Sequence, residues 1–380
     1  NERTTDAIKE LHIPGVSVFS EKWRFYPGDS LASHVLGFVG FKGEEFGGRY
    51  GVERYYEDVL KRGERELYVN FFAEVFANIE QSLFYRNSRE GDVVLSIEPE
   101  VQRVLENKLK ETVGKWSADS GGAIIIHPQT GGIYALSALP AFDPNRYSDE
   151  ENYLIFSNPL VESVFEMGSI MKPLTVAIGL DTGAIKPQDT YNDKGTLVLN
   201  DSRISNYDGK ARGVVPMQEI LNQSLNTGAV HVMQEVGKEE FARYLLDFGL
   251  GEETGIDLPN EVPGLVENLN STREIEYATA SYGQGIAMTP IAITRALSAL
   301  ANGGFLVTPH IAEKIEYSLT TSNVSYEDEK TRILGEDAVE DITRMLVEVV
   351  DTALLGGTVK FDHYSVAAKT GTAQMALPEG

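Results

Sequence analysis

The most informative segment of the sequence is Glu166–Val176, EMGSIMKPLTV. Ser169 and Lys172 are three residues apart, so on a helix the Lys172 amine lies within hydrogen-bonding reach of the Ser169 hydroxyl. Pro173 predicts that a helix begins nearby, where free backbone N–H groups and the helix dipole favour a developing negative charge. The same positive helix end disfavours an ammonium at Lys172. The segment is therefore either a nucleophile with its own base or an ordinary polar start of a buried helix.

Length and composition describe a globular protein with room for two domains. The chain has 380 residues, of which 42% are hydrophobic and 24% are charged, which is enough to bury a core. A formal net charge of −24 argues against nucleic acid and against charge-driven docking on an anionic membrane. The absence of cysteine excludes disulfides and thiolate metal sites. The histidines form no HxxxH or HExxH pair, which argues against a zinc hydrolase.

The sequence carries no targeting or membrane-spanning signal. It contains no run of about 18 apolar residues, the length expected of a transmembrane helix. It begins with Asn, without a recognisable signal peptide. We expect any membrane anchor to lie upstream.

The pattern of residues changes near residue 92. Before it, short alternating runs at Gly15–Phe19 and His34–Gly40 predict strands in a loop-rich module. Gly51–Gly63 has helical spacing and ends on a glycine cap. Phe71–Phe84 fits either a helix or a hydrophobic hairpin arm, and packing is a simpler role for it than contact with a membrane or a partner.

After residue 92 the order is two strands, many helices and a returning strand. A strand at Val93–Ile97 leads into an amphipathic helix, and two further strands follow, joined by a tight turn at His127–Gly131. Helical periodicity then recurs from Ser169, over Met217–Val236, over Pro290–Asn302 and over Glu336–Thr352. Tyr364–Met375 alternates like a strand. This order predicts an α+β domain with an antiparallel sheet whose first and last strands lie far apart in sequence.

Three short motifs, each occurring once, change the interpretation of Ser169. They are SIMK at Ser169, SLN at Ser224 and KTG at Lys369. The first opens a helix, the second lies in a turn between helical stretches, and the third lies on the late strand. This ordered set is seen in serine penicillin-recognising enzymes, and its contexts fit. The three motifs together predict that Ser169 is a nucleophile.

The chain resembles a class B penicillin-binding protein, a monofunctional peptidoglycan D,D-transpeptidase. EMGSIMKP is similar to the family's E-P-G-S-x-x-K-P, with Met167 where Pro is usual, and Ala368 stands where Gly often precedes K-T-G. Ser281–Gly304 resembles the family's glycine-containing loop and following helix. Other similar segments are TGIDLPNEVPG, HVLGFVG and YGVERYYEDVL. The resemblance extends over nearly the whole chain.

The resemblance implies a particular α+β fold. A transpeptidase domain of the penicillin-binding-protein/β-lactamase type, with an antiparallel sheet flanked by helices, is expected at residues 92–380. A smaller, mixed N-terminal pedestal domain of the dimerisation type is expected at residues 1–91, incomplete at its start. A family member would continue beyond residue 380 with further strands and a closing helix. We therefore expect the catalytic domain to be truncated, with an exposed strand edge, and the activity of this chain alone to be uncertain.

The resemblance also implies roles for the first two motifs. Ser169 would attack the carbonyl of a D-Ala-D-Ala terminus, expel D-Ala and form an acyl-enzyme, which an acceptor amine converts into a cross-link. Lys172 would take the Ser169 proton. Ser224 would relay a proton to the leaving amine, and Asn226 would orient Lys172 and the peptide amide. The simpler interpretations are a helix-capping Ser, a solvated Lys and a polar turn.

The third motif is expected to bind substrate. Lys369 would lower the pKa of Lys172 by like charge and attract the terminal carboxylate of the substrate. Hydroxyls of Thr370 and Thr372 would donate to substrate, and Gly371 would leave room for it along the strand. Backbone N–H groups of Ser169 and Thr372 would form the oxyanion hole. The simpler interpretation is an exposed edge-strand Lys beside a Gly bulge.

No cofactor or metal follows from the resemblance. The implied partners are peptidoglycan stem peptides, β-lactam antibiotics, a membrane glycan polymerase and division or elongation proteins. The implied location is the extracytoplasmic face of the bacterial membrane, with an N-terminal transmembrane anchor absent from this sequence. One alternative is a D,D-carboxypeptidase or β-lactamase, disfavoured by the pedestal and by the lack of a recognisable deacylating Glu motif. Another is a β-lactam sensor or wall-synthesis scaffold that acylates without turnover.

Overall fold

The computed structural model describes residues 24–42, 45–61, 90–317, 320–326 and 331–373, together with residues 8, 10, 11 and 13. Runs of strands and runs of helices follow one another along these residues, and the paired strands are antiparallel. The predicted α+β class is confirmed. Among the described residues, no helix combines the length and the apolar character that crossing a bilayer requires.

The described strands form one three-stranded sheet and four two-stranded pairs. The strands are β1 (Val39–Lys42), β2 (Glu45–Gly48), β3 (Gly91–Leu95), β4 (Gly121–Ile126), β5 (Ile133–Leu139), β6 (Thr190–Asp193), β7 (Thr196–Leu199), β8 (Ser202–Ser205), β9 (Gly213–Pro216), β10 (Ala312–Tyr317) and β11 (Thr321–Asn323). The three-stranded sheet has the order β11-β10-β3, and the pairs are β1-β2, β4-β5, β6-β9 and β7-β8. The pairing of β3 with β10 joins distant parts of the chain.

The helices are mostly short. They are α1 (Ser33–Leu36), α2 (Gly51–Tyr55), α3 (Glu57–Leu60), α4 (Pro99–Trp116), α5 (Pro159–Glu162), α6 (Lys172–Asp181), α7 (Gln218–Asn222), α8 (Asn226–Val236), α9 (Lys238–Asp247), α10 (Glu274–Ala280), α11 (Pro290–Ser298) and α12 (Glu336–Glu348). A 3₁₀ turn at Gly168–Met171 leads directly into α6.

The largest hydrophobic core surrounds α6. Every residue of this helix from Lys172 to Gly179 is buried, and α8 and α12 pack against it. A helix that is buried all round must be apolar all round, and α6 meets this condition except at Lys172 and Thr175, both of which are 0% exposed. The helix that carries the predicted base is therefore the central element of the core.

A second core joins the N-terminal residues to the rest of the chain. Val35 and Val52 pack in one cluster with Ile133 and Leu136 of β5. Across the same boundary, the backbone N–H of Ala32 donates to a Glu106 carboxylate oxygen over 2.8 Å. Nothing in these contacts locates a domain boundary, so the boundary near residue 92 stays a prediction.

Several predicted elements are confirmed. The turn at His127–Gly131 joins β4 and β5, Pro99 opens α4, and the predicted helices at Pro290 and Glu336 are present as α11 and α12. Met217–Val236 contains two helices, α7 and α8, on either side of the SLN turn. The strand predicted at Val93–Ile97 lies at Gly91–Leu95.

Two N-terminal predictions were wrong. His34–Gly40 is not one strand, because α1 covers His34 and Gly37, with φ +69°, turns the chain before β1 begins. A Cβ at Gly37 would lie 1.8 Å from the Tyr50 carbonyl oxygen, so the close approach requires glycine. Gly51–Gly63 is not one helix either, since α2 and α3 are separated at Tyr56, which has φ −103° and ψ 27°. Gly63, Gly15–Phe19 and Phe71–Phe84 lie outside the described residues.

The strand predicted at Tyr364–Met375 is also wrong for the described part, residues 364–373, which form no strand. A strand exists only where its backbone pairs with a neighbouring strand. Here the backbone N–H of Ala368 donates instead to the Leu346 carbonyl oxygen of α12, over 3.4 Å. Alternation of side chains therefore did not indicate strand pairing in this segment.

Candidate active site

The start of α6 brings the first and third motifs together. Gly168 has φ +58°, and a Cβ there would lie 2.2 Å from the Thr372 carbonyl oxygen. Likewise, a Cβ at Gly371 would lie 2.9 Å from the Ile170 side chain. Glycine at both positions allows the KTG segment to lie directly against the turn that carries Ser169. The absence of a side chain at Gly371 leaves room for this turn, and the role of Gly371 in leaving room for substrate stays a prediction.

The Lys172 amine is the centre of the site. Lys172 is fully buried, and its Nζ lies 3.0 Å from Ser169 Oγ. Three further oxygens surround it, namely Ser224 O at 2.7 Å, Ser224 Oγ at 3.1 Å and Asn226 Oδ1 at 2.8 Å. The structure thus brings the SIMK and SLN motifs into one hydrogen-bonded cluster, as the sequence predicted.

The types of these four oxygens determine what a neutral amine would do. Ser224 O and Asn226 Oδ1 are carbonyl oxygens, which only accept hydrogen bonds. A neutral amine has two hydrogens and one lone pair, so donating to both carbonyls leaves its lone pair facing the hydroxyls. Ser169 Oγ–H can then donate to that lone pair. This is the geometry of a nucleophile whose base already contacts its proton.

The electrostatics of the site favour the neutral form. Burial, and secondly the positive charge of Lys369, lower the pKa of Lys172 from its ordinary value of 10.5 to about 6. Burial disfavours the charged form of an amine, and a nearby like charge acts in the same direction. At neutral pH most Lys172 side chains therefore carry a free lone pair.

Ser224 connects the two lysines. It has φ +55°, a left-handed conformation that is strained for a residue with a side chain. This conformation turns its carbonyl oxygen towards Lys172, while its hydroxyl lies 3.1 Å from Lys172 Nζ and 3.0 Å from Lys369 Nζ. A hydroxyl between two amines can pass a proton from one side to the other. Local strain of this kind is concentrated at functional sites.

Lys369 is the cation of the site. Its Nζ also donates to the Thr370 carbonyl oxygen over 2.9 Å. Burial lowers the pKa of Lys369 to about 8, so at neutral pH it stays mostly protonated. Thr370, Gly371 and Thr372 are exposed beside it. The surface next to Ser169 therefore offers a positive charge and accessible backbone and hydroxyl groups.

Some residues that support the site were missed in the sequence. Glu166 accepts the Gly285 backbone N–H over 2.8 Å, and Gly168 N–H donates to the Gly283 carbonyl oxygen over 2.9 Å. Asn226 Nδ2 donates to the Ser205 carbonyl oxygen over 2.9 Å, which fixes the orientation of its amide. These partners are distant in sequence, so residue spacing within a motif does not predict them. The glycines at Gly283 and Gly285 were the available signal, since glycine often marks a close backbone approach.

This geometry suits acyl transfer by covalent catalysis. It provides a serine hydroxyl, a buried amine base in contact with it, a bridging hydroxyl and a cation that can hold an anionic group. The predicted roles of Thr370 and Thr372, and the oxyanion hole formed by backbone N–H groups of Ser169 and Thr372, stay predictions.

Comparison with known protein families gives one match that covers most of the chain. Residues 121–380 match the penicillin binding protein transpeptidase domain. The matched region contains all three motifs and the whole cluster around Lys172.

Individual relatives agree with that match. Stage V sporulation protein D of Bacillus subtilis (strain 168) is 33% identical over 98% of this chain and 58% of its own length. Peptidoglycan D,D-transpeptidase FtsI of Escherichia coli (strain K12) is 26% identical over 100% of this chain and 62% of its own length. The chain therefore spans less than two thirds of the length of these two curated relatives.

Solved structures share the fold. The crystal structure of penicillin binding protein 3 from Mycobacterium tuberculosis in complex with ampicillin has a TM-score of 0.80 and 26% identity, covering 94% of this chain and 76% of that one. The same protein in complex with aztreonam also has a TM-score of 0.80, over 94% of this chain.

Proposed function

The chain belongs to the penicillin-binding protein transpeptidase family, and from this premise we propose that it is a serine-type peptidoglycan D,D-transpeptidase. Its substrate class would be stem peptides that end in D-Ala-D-Ala, and its product a peptide cross-link in the cell wall. Relatives named as peptidoglycan D,D-transpeptidases and the β-lactam complexes of a similar fold support this proposal.

In the first half-reaction, Ser169 Oγ attacks the carbonyl carbon of the D-Ala-D-Ala peptide bond while its proton moves to Lys172 Nζ. The tetrahedral intermediate collapses, the C–N bond breaks, and the leaving amine of D-Ala receives a proton through Ser224. The products are free D-Ala and an ester on Ser169. This pathway uses the contacts of Lys172 Nζ with both hydroxyls.

In the second half-reaction, an acceptor amine from a neighbouring stem peptide attacks the ester carbonyl and loses a proton to the same base. The ester C–O bond breaks, Lys172 returns that proton to Ser169 Oγ, and an amide cross-link remains. Asn226 holds the Lys172 amine in place and contacts the peptide amide. Water as acceptor would instead make the protein a carboxypeptidase or a β-lactamase.

The third motif would bind the substrate. Lys369 attracts the terminal carboxylate, and the exposed hydroxyls of Thr370 and Thr372 donate hydrogen bonds to it. The backbone N–H groups of Ser169 and Thr372 stabilise the oxyanion, an interaction worth about 3–4 kcal/mol per donor in other acyl-transfer enzymes.

The proposal extends to domains, partners and location. The family match over residues 121–380 supports a catalytic domain from about residue 92 onwards, with residues 1–91 as an N-terminal pedestal. The protein would act on the extracytoplasmic face of a bacterial membrane, anchored by an N-terminal helix. A membrane glycan polymerase and division or elongation proteins would be its partners, and β-lactams its covalent inhibitors.

The observation that carries the proposal is the contact between Lys172 Nζ and Ser169 Oγ at 3.0 Å, with the amine fully buried. It is tested by intact-mass spectrometry of the chain with a fluorescent penicillin, alongside Ser169→Ala and the exposed control Ser322→Ala. We expect one long-lived adduct on the chain and on Ser322→Ala, and none on Ser169→Ala.

Turnover separates the candidate functions. With a D-Ala-D-Ala peptide and an acceptor amine, a transpeptidase releases D-Ala and forms the cross-linked amide. Rapid loss of the penicillin adduct would identify a hydrolase instead. A stable adduct without peptide turnover would identify a sensor or scaffold, and the absence of any adduct would contradict the proposed function.

A further inference from the structure

A buried carboxylate outside the three motifs lies behind the active site. Asp193 is the last residue of β6 and is 1% exposed. Its oxygens accept hydrogen bonds from four groups, which are Gly195 N at 2.8 Å, Arg212 N at 3.0 Å, Asn206 Nδ2 at 3.0 and 3.1 Å, and Thr227 Oγ1 at 2.7 Å. A buried charge held by this many donors is rigidly placed.

Two of these donors, Asn206 and Thr227, are next in sequence to the two residues whose hydrogen bond orients the Asn226 side chain. Asn206 follows Ser205, whose carbonyl oxygen accepts Asn226 Nδ2 over 2.9 Å. Thr227 follows Asn226 itself, and its backbone N–H donates to Asn206 Oδ1 over 3.2 Å. Asp193 binds the side chains of both Asn206 and Thr227. The Asp193 carboxylate therefore holds the chain next to both Ser205 and Asn226, which form the hydrogen bond that orients the Asn226 amide.

That amide in turn contacts the reacting base. Asn226 Oδ1 accepts from Lys172 Nζ over 2.8 Å, and Lys172 Nζ contacts Ser169 Oγ over 3.0 Å. Asp193 is thus linked to the reacting groups by its hydrogen bonds to Asn206 and Thr227, by the peptide bonds that join these residues to Ser205 and Asn226, and by the hydrogen bonds of Asn226. Through these bonds Asp193 contacts neither Ser169 nor Lys172 directly.

We propose that Asp193 is a positioning residue for acyl transfer, which fixes Asn226 and, through it, the direction of the Lys172 amine. The inference rests on the proposed function, because it assigns Asp193 to that reaction. Catalysis depends steeply on the placement of groups, and a displacement of about 1 Å can reduce a rate by roughly 100-fold. Among the described residues, the groups that face the Lys172 amine are those of Asn226, Ser169, Ser224 and Lys369.

The test compares the unaltered chain with Asp193→Asn, Thr227→Val and Thr227→Ser. Asp193→Asn places an N–H₂ group among donors, and Thr227→Val removes the hydroxyl while keeping the shape of the side chain. The matched control is Asp189→Asn, since Asp189 is exposed and its carboxylate accepts only a local backbone bond from Lys186 among the hydrogen bonds described for it.

The first measurement is the second-order rate of acylation by a fluorescent penicillin between pH 5 and pH 9, corrected for the folded fraction. We expect Asp193→Asn and Thr227→Val to lower the plateau roughly 10- to 100-fold. Thr227→Ser recovers most of the rate, and Asp189→Asn keeps it. The carbonyl dipole of Asn226 favours the ammonium form, so loosening it should also move the acid limb to lower pH.

The second measurement does not depend on acylation. NMR of chains labelled with ¹³C at the lysine ε-carbons, with the Lys172 signal assigned from Lys172→Met, follows the titration of Lys172 directly. We expect its midpoint to fall in Asp193→Asn and Thr227→Val and to stay in Asp189→Asn. An unchanged midpoint in Thr227→Val, and an unchanged acylation rate if the chain is acylated, would overturn the positioning role. A chain that resists acylation while its midpoint shifts would overturn the proposed function alone.

Discussion

Lys172 and Asp257 are two charged side chains that are almost completely buried, and they have opposite roles. Lys172 is 0% exposed and Asp257 is 1% exposed. Asp257 accepts hydrogen bonds from two backbone N–H groups, Ile311 at 2.6 Å and Ala312 at 2.8 Å. It also accepts from two tyrosine hydroxyls, Tyr56 at 2.7 Å and Tyr326 at 2.8 Å.

The partners of Lys172 are of another kind. Its four oxygen neighbours are neutral, and the charge that acts on it is the like charge of Lys369. Hydrogen-bond donors stabilise the buried Asp257 carboxylate. Burial and repulsion by Lys369 favour the neutral form of the Lys172 amine. A buried charge therefore stabilises the fold when its surroundings favour the charged form. Where burial and a like charge outweigh the favourable contacts, the group becomes reactive at neutral pH.

The largest effect is expected from Lys172→Met, which removes the base and keeps the shape of the side chain. Acylation by a fluorescent penicillin should slow by about 10²–10⁴-fold, the usual contribution of a general base. The free energy of unfolding should fall by no more than about 1.5 kcal/mol, because two carbonyls lose a donor while the cost of burying an amine is relieved. Stopped-flow acylation and urea denaturation measure the two quantities. A large loss of stability with little change in rate would contradict the comparison.

Asp257→Asn should show the reverse pattern. The amide replaces one acceptor oxygen with a donor that faces other donors, so we expect a loss of about 2–4 kcal/mol in the free energy of unfolding. The acylation rate per folded molecule should stay the same, because Asp257 has no contact with the Lys172 cluster among the described hydrogen bonds. Urea denaturation gives the stability, with Asp189→Asn as the exposed control. A reduced rate in fully folded protein would show that the two regions are coupled.

The acylation rate should depend on pH through Lys172 and Lys369. With the pKa of Lys172 lowered to about 6, the acylation rate should fall tenfold per pH unit below about pH 6, as the base becomes protonated. Loss of the Lys369 charge near its pKa of about 8 should weaken binding of anionic substrates above that pH. Acylation rates from pH 4.5 to pH 9.5 test both limbs. An acid limb above pH 8 would contradict the lowered pKa of Lys172, and an acid limb that persists in Lys172→Met would mean that Lys172 is not the base.

The free energy of unfolding should rise with pH because of Lys172. The folded state holds Lys172 with a pKa of about 6 and the unfolded state with its ordinary value of 10.5. Between these values the unfolded state binds more protons, so the free energy of unfolding rises with pH across this window. Lys172→Met should flatten the rise, as measured by denaturation at several pH values. A rise of the same slope in this variant would assign it to other groups.

Sequence alone predicted the parts of the site that depend on local chemistry. Spacing placed Ser169 and Lys172 on one turn, and the SLN motif was expected between two helices, as α7 and α8 confirm. What sequence could not supply depends on long-range partners. Asp193 takes donors from residues 195, 206, 212 and 227, and only the fold brings these together. The positive φ of Ser224 is likewise imposed by its surroundings, since serine does not favour it.

A long-range contact also explains why the single helix predicted at Gly51–Gly63 was wrong. Periodicity treated Tyr56 as one more apolar position, but its hydroxyl binds Asp257, and the helix breaks at this residue. A long-range polar contact thus accompanies the end of a locally favourable helix. Tertiary context commonly overrides propensity in this way.

The smallest effect is expected from Tyr56→Phe, which separates the contribution of one tyrosine hydroxyl from those of the other donors to Asp257. Removing one hydroxyl leaves Asp257 with two backbone N–H groups and Tyr326 as donors. We expect a loss of about 1–2 kcal/mol in the free energy of unfolding, less than for Asp257→Asn, since only one of four donors is removed. Tyr326→Phe should cost a similar amount, and the double variant measured by urea denaturation gives the coupling between them. Because both hydroxyls meet the same oxygen, Asp257 Oδ2, the second loss should exceed the first. Strict additivity would show that the carboxylate does not depend on the two tyrosines jointly, and that the backbone N–H groups hold it alone.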